Sequence, residues 1–259
     1  MRRRTLTELA NNPDLISGIY NYCDRWCERC PLTSRCLVYA TEQDDNDSFE
    51  CHDISNEAFW NKLSSIFQET REMIAEWAHT AGIDLSEPPE EDEARHRRKR
   101  QLVDNHPLTR AGKKYANAAS DWFREFDQTI EISDLQATES DRENAELQED
   151  AREVIQWYQY QIAVKTMRAL SGLKEEVEYD PETAEFPKDS DGSAKVALIG
   201  IDRSIAAWRM MQLALPERND SIVPLILQLE RLRRRLEKVF PEARGFVRPG
   251  FDEVLGAAN

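Results

Sequence analysis

Four cysteines fall within fourteen residues near the N-terminus and constrain this chain more than any other feature: Cys23, Cys27, Cys30 and Cys36. The residues before them are mostly basic and polar, with no long apolar stretch, so we expect no signal peptide and a cytoplasmic location. Thiols stay reduced in the cytoplasm, where clustered cysteines bind a metal more often than they form disulfides. The sequence therefore predicts a metal centre on these four side chains.

The spacing of the cysteines indicates how they converge. Cys23, Cys27 and Cys30 stand at i, i+4 and i+7, positions that share one stripe of an α-helix. Pro31 suits the first turn of a second helix, which would bring Cys36 back toward the other three. We expect a helix-turn-helix whose four thiolates surround either a cubane iron–sulfur cluster, with one thiolate for each iron, or a tetrahedral zinc ion.

The second half of the run, from Cys27 to Cys36, reads C-x2-C-P-L-x3-C. It resembles the iron–sulfur loop of the endonuclease III-type DNA glycosylases and the cluster element of the WhiB-like iron–sulfur regulators. The resemblance implies that Cys27, Cys30 and Cys36 are three ligands of a [4Fe–4S] cluster, and Cys23, which has no counterpart in either pattern, would be the fourth. It covers only these ten residues. The rest of the chain resembles only uncharacterised bacterial helical proteins, so the likeness implies a cofactor and no role in DNA repair or transcription.

The first half of the run, C-x3-C-x2-C, is also the signature of the radical SAM enzymes. Those enzymes need a β/α barrel and an iron site left open for their cofactor, whereas this chain shows no alternating strands and Cys36 would close that site. Zinc sites more often use two C-x2-C-type pairs separated by a longer loop. The spacing therefore favours a [4Fe–4S] cluster, with zinc as the alternative cofactor.

The rest of the chain has the composition and periodicity of a helical protein. Charged residues make up 32% of it and glycine occurs only 9 times in 259 residues, which favours helices. We predict an all-α protein: an up-and-down helical bundle at 51–259, preceded by the Cys-rich metal-binding segment at 1–50. Apolar residues recur at helical spacing in five stretches, which are the predicted long helices: 54–81, 108–130, 147–173, 194–215 and 219–239.

Charged residues also interrupt the apolar faces of the predicted bundle. Lys165 falls on an apolar stripe, Asp202 and Arg203 interrupt the most apolar helix, and Glu153 precedes an aromatic run. A buried charge must be paired, and one hypothesis is that Asp202 or Glu153 pairs with Lys165 or Arg203 in a polar pocket. The pattern favours the other interpretation, a structural network of ion pairs.

The adjacent Cys51 and His52 carry a weaker signal. They could add a further ligand pair or a redox-active thiol to the metal centre, or serve only in packing. The four-cysteine run does not require them, so their role stays open.

Net charge and missing motifs limit the functional classes. A net charge of −15 disfavours nucleic acid and anionic membranes as partners, so we expect a protein partner. Three functions stay open: a redox or cluster-loss sensor, a zinc-stapled structural or interaction module, and an iron–sulfur oxidoreductase that uses the pocket near Lys165. The third has the least support, because the chain contains no recognisable catalytic motif.

Overall fold

The computed structural model describes residues 8–9, 11–44, 53–85, 93–130, 139–176 and 189–252. In these ranges the regular structure is entirely helical, which confirms the predicted all-α class. The long elements are seven α-helices: α1 Leu37–Asp44, α2 Glu57–Ala81, α3 Glu93–Asp104, α4 Pro107–Ile130, α5 Glu139–Glu176, α6 Asp189–Ala214 and α7 Asn219–Val239. None of the helices in the described ranges is both long and apolar enough to span a bilayer.

The chain folds as two compact units. One comprises Ala94–Arg248, and the other comprises Met1–Glu93 together with Pro249–Asn259. In the first unit, helices α4 to α7 each pack against the next, and α7 packs back against α4. This ring of contacts is that of a four-helix bundle. Four of the five predicted long helices therefore form the bundle.

The bundle core is built around aromatic side chains. Trp208 of α6 lies edge-on to Trp122 of α4 and stacks on Phe123, with ring centroids 5.1 and 5.5 Å apart. Its indole N–H donates a 2.9 Å hydrogen bond to the buried Tyr115 hydroxyl. Tryptophan and tyrosine can be buried at low cost only when their polar atoms find such partners.

Helix α6 approaches α5 closely because it carries a glycine at the contact. A methyl group at Gly200 would lie 2.9 Å from Cδ1 of Tyr158 and 3.2 Å from Cγ1 of Ile162. Most side chains in the first two-thirds of α6 are buried, as expected for a helix that is apolar nearly all round.

The fifth predicted helix, α2, belongs to the other unit. It begins at Asn56, whose Oδ1 accepts a hydrogen bond from the amide of Ala58 at 3.0 Å, and it ends at Gly82, with φ of 69°. Of the side chains of α2, all of which the structure describes, Ala78 alone is buried. The predicted amphipathic helix is thus present, but its apolar face is largely exposed.

The cysteine segment differs from the predicted helix-turn-helix. Cys23 lies in a bend, and the chain then forms two one-turn 3-10 helices, Cys27–Arg29 and Thr33–Arg35, before α1 begins. The amides of Cys30 and Cys36 close these turns on the carbonyls of Cys27 and Thr33, both at 3.1 Å. The expectation of one helical stripe was therefore wrong, and the thiols converge through tight turns instead.

Candidate metal centre

All four predicted cysteines line one small cavity in the N-terminal unit. The cavity has a volume of about 20 Å³. Its other walls are mainly apolar and aromatic side chains, among them Ile19, Tyr20, Trp26, Val38, Tyr39 and Phe251. None of the four cysteines forms a disulfide, and each is half-buried. The structure therefore brings together the four thiols that the sequence singles out.

Two of the sulfur atoms have polar backbone neighbours. The amide of Leu32 donates to Sγ of Cys30 at 3.4 Å, and the Cys23 thiol donates to the carbonyl of Tyr20 at 3.5 Å. Hydrogen bonds from backbone amides to sulfur stabilise a thiolate and help to set the properties of a metal centre. The Leu32 amide would do this for Cys30, since it follows Pro31 in the turn.

A strained turn separates Cys23 from Cys27. Arg25 has φ of 59° and is the one non-glycine residue in the described chain with a positive φ. Asp24 supports the turn, because its carboxylate accepts a hydrogen bond from the Trp26 amide at 3.3 Å. A left-handed residue in this position reverses the chain, which lets two cysteines only four residues apart face one cavity without a helix.

Trp26 forms the best-buried part of the cavity wall. It is only 5% exposed, and the guanidinium of Arg29 lies 4.2 Å from the centre of its ring. This cation–π contact keeps the indole, and with it this part of the cavity wall, in place.

Part of the cavity wall comes from residues more than two hundred positions further along the chain. Gly250 has φ of 75°, and a Cβ there would lie 2.7 Å from Cδ1 of Ile16. Phe251 follows it and lines the cavity. Ile16 is itself held by its amide, which donates to the carbonyl of Arg35 at 2.9 Å. The sequence analysis missed Gly250 and Phe251, for which a glycine before an aromatic residue is the sole local signal.

The electrostatics of the site disfavour a free thiolate at Cys27. Burial raises the pKa of the Cys27 thiol, and Glu42 and the three neighbouring cysteines raise it further. A bound cation reverses this situation, because it attracts the same sulfur atoms that otherwise repel one another. Metal binding at this site must therefore displace protons.

The thiols are not drawn around a single point. Within the described ranges, no three or more side chains of His, Cys, Asp or Glu are close enough together to hold one metal ion. The four cysteines share a cavity, then, without forming a closed tetrahedral site.

The predicted polar pocket is not formed as expected. Asp202 pairs with Arg244 at 2.6 Å and with Arg233 at 3.2 Å, in a partly exposed position. Arg203 is exposed and donates to the Tyr158 hydroxyl.

Glu153 is likewise exposed, and it stands twelve residues from Lys165 on α5, about 18 Å along the axis. The desolvation cost of burying charges explains why these side chains lie at the edge of the bundle. The structure therefore does not bring the four into one buried pocket. Cys51 and His52 lie outside the described residues.

Comparison of the chain with protein-family models, with curated proteins and with solved structures finds no match. A functional assignment therefore depends on the chemistry of the cysteine cavity and its surroundings.

Proposed function

We propose that this protein holds a [4Fe–4S] cluster on Cys23, Cys27, Cys30 and Cys36, in a reducing compartment such as the cytoplasm. The observation that carries the proposal is that all four thiols line the same small cavity. Four cysteines brought together and left without a disulfide are a complete ligand set for a cubane, since each iron takes one thiolate.

The spread of the thiols favours a cluster over zinc. Four thiolates at about 2.3 Å from a zinc ion would lie only about 3.8 Å from one another and would leave no room for a water molecule between them. The four thiols here line one cavity, yet among the described residues no three ligating side chains are close enough together to hold one metal ion. Thiols spread in this way suit a cofactor that binds each of them through a different iron.

The residues around the thiols suit a metal centre that is shielded from water. Trp26 and Phe251 limit access of water, the Leu32 amide donates to a sulfur, and Arg29 holds a positive charge over the Trp26 ring. When bound, a cluster supplies one-electron redox chemistry and a sensitivity to oxidants. The protein itself supplies the ligands, the low polarity and the hydrogen bonds that set that sensitivity.

The segment around the cysteines has little core of its own, which suggests what the centre does. Between residues 8 and 44 the buried apolar side chains that the structure describes are Leu9, Ile19 and Trp26. A segment with so few buried side chains depends on a bound metal for much of its stability. We infer a redox or cluster-loss sensor, in which the state of the centre sets the fold of this segment and a protein partner reads it.

Zinc is the second candidate, because the small number of buried side chains around the cysteines favours any metal that stabilises this segment. A redox-silent ion would stabilise the segment equally well, and the protein would then be a structural or interaction module. The two candidates differ in colour, metal content and response to oxidants.

The proposal is tested by isolating the protein without oxygen and recording its absorption spectrum. We expect a broad band near the violet that disappears on exposure to air and is absent or strongly reduced in Cys30→Ser. Cys51→Ser is the matched control, because it makes the same chemical change outside the four-cysteine run. A colourless protein that binds zinc would contradict the cluster, and a band that survives in Cys30→Ser would contradict the ligand set.

A further inference from the structure

Helix α2 presents large apolar side chains to solvent. Trp60 is 51% exposed, Phe67 60%, Ile74 48% and Trp77 62%. The indole N–H of Trp60 donates to the carbonyl of Ile54 at 2.9 Å, so the polar atom of the ring is satisfied and its apolar surface faces outward. Contiguous apolar patches of this kind on a folded protein mark interaction surfaces.

The exposed side chains belong to a regular repeat. Steps of three and four residues alternate without interruption along α2, through Trp60, Leu63, Phe67, Thr70, Ile74, Trp77 and Ala81. These are the a and d positions of three heptads, whose period of 3.5 residues is the signature of a two-helix seam in a left-handed coiled coil. Helix α2 has 25 residues, about 37 Å, which is long enough for such a seam.

We propose that α2 is a dimerisation helix, and that its heptad seam packs against α2 of a second copy of this chain. The charges of the helix permit self-association in spite of the acidic composition. The e and g positions that flank the seam carry one acid and one base, Glu57 and Arg71. Glu69, Glu72 and Glu76 occupy c and f positions, away from the seam, so two copies meet without like charges in contact.

The available area matches what a dimer needs. Ile54 and Leu85, which are 66% and 53% exposed, extend the patch beyond the four seam residues. A groove of about 800 Å³ runs beside Phe67 and Ile74, with Leu85 in its wall. Since a large aromatic side chain buries roughly 150–250 Å², the exposed parts of these six side chains amount to several hundred Å² for each copy. That approaches the roughly 800 Å² per partner of a standard interface.

The side chains of the seam pack best when the α2 helices of the two copies run antiparallel. In that orientation an a position packs against a d position of the other helix, and Phe67 of one copy can lie against the small Thr70 of the other. A parallel pair would instead place Thr70 against Thr70 and leave a gap in the middle of the seam. The antiparallel dimer therefore gives the better packed core.

Sedimentation velocity of the full-length, metal-loaded protein over a range of concentrations tests the proposal. We expect a reversible dimer that Phe67→Glu weakens at least about 30-fold, the effect of losing a central hot spot. Leu213→Glu is the matched control, since it places the same charge at an apolar side chain that is 79% exposed on α6, and it should leave the dimer intact.

Circular dichroism confirms that each variant is folded, and Ile74→Glu replaces Phe67→Glu if that variant does not fold. A monomer at every concentration would overturn the proposal, whether the seam binds a different protein or is covered by the chain itself. A dimer that persists in Phe67→Glu, or in Ile74→Glu where that variant takes its place, would overturn it as well. Neither result depends on which metal the cysteines bind.

Discussion

Arg25 holds a left-handed backbone conformation between the first two cysteines, and this single residue explains why the predicted helix is absent. Such a conformation costs a non-glycine residue roughly 1 kcal/mol or more, and strain of this kind is typically found where a site over-determines the local fold. The bend of the chain at Cys23 and the 3-10 turn at Cys27 lie on either side of it. The strained residue therefore coincides with the four-cysteine cavity.

The raised pKa of Cys27 predicts how pH acts on the metal-free protein. A thiol whose pKa is higher in the folded state than in the unfolded state stabilises the fold while it is protonated, and this stabilisation is lost as pH rises through the folded pKa. Thermal unfolding of metal-free protein should accordingly show falling stability toward alkaline pH, and Cys27→Ser should flatten that slope. A metal-free wild type that becomes more stable as pH rises through this range would contradict the account.

Among single residues, the sequence singles out the four thiols but not the backbone that positions them. That Cys23, Cys27, Cys30 and Cys36 belong to one site could be expected, because thiols at close spacing have few other uses. The turn at Arg25 could not, since an arginine has no propensity for positive φ, and Phe251 lies more than two hundred residues away in the sequence.

Among the elements of the N-terminal unit, the segment that contains Gly250 packs against Ile16, Ile19 and Leu32 and brings Phe251 to the cavity wall. Its positive φ and the 2.7 Å approach of a Cβ to Ile16 leave no room for a side chain. This segment therefore needs glycine at position 250 both for its backbone conformation and for its close contact with Ile16.

Gly250→Ala should destabilise the fold around the cysteine cavity, and with it the proposed metal centre, by roughly 1–3 kcal/mol, from the strained φ and the overlap with Ile16. The measurement is the rate at which a chelator removes the metal, which should rise in the variant. Gly245→Ala is the matched control, because a Cβ there meets only the Glu242 carbonyl at 3.5 Å and the φ of Gly245 is not positive. Equal rates in the two variants would show that Gly250 does not support the site.

Periodicity predicted the elements themselves well. The bounds of α4 and α7 lie within about a residue of the predicted ones, because strong apolar repeats end there at clear signals. Periodicity does not predict what packs against the apolar face of a helix. The repeat in α2 is like that of a bundle helix, yet Trp60 and Trp77 are exposed. The spacing of apolar residues specifies which face is apolar, but not which element packs on it.

At the scale of the whole molecule, the four-helix bundle is held together by close packing as well as by its aromatic core. The contact between α5 and α6 at Gly200 lets Tyr158 and Ile162 lie against the backbone of α6. This contact is hard to predict from the sequence, because a glycine within an apolar helix is recognisable only by its low helix propensity. The reason for the glycine becomes clear only once the position of the neighbouring helix is known.

Gly200→Val should destabilise the bundle by roughly 1–3 kcal/mol, because the new side chain would overlap the Tyr158 ring. Chemical denaturation followed by circular dichroism measures the change. Ala206→Val is the control, since Ala206 is exposed on the same helix, and it should shift the midpoint far less. We expect metal content to stay unchanged in both variants, as Gly200 and the cysteines belong to different units.

Whether the four-cysteine cavity holds a cubane cluster is decided by the metal and sulfide content of anaerobically isolated protein. Iron, acid-labile sulfide and zinc are to be measured per chain, in wild type and in Cys30→Ser. We expect about four irons and about four sulfides in the wild type and a large loss of both in the variant. One zinc per chain with no labile sulfide, or no bound metal at all, would contradict it.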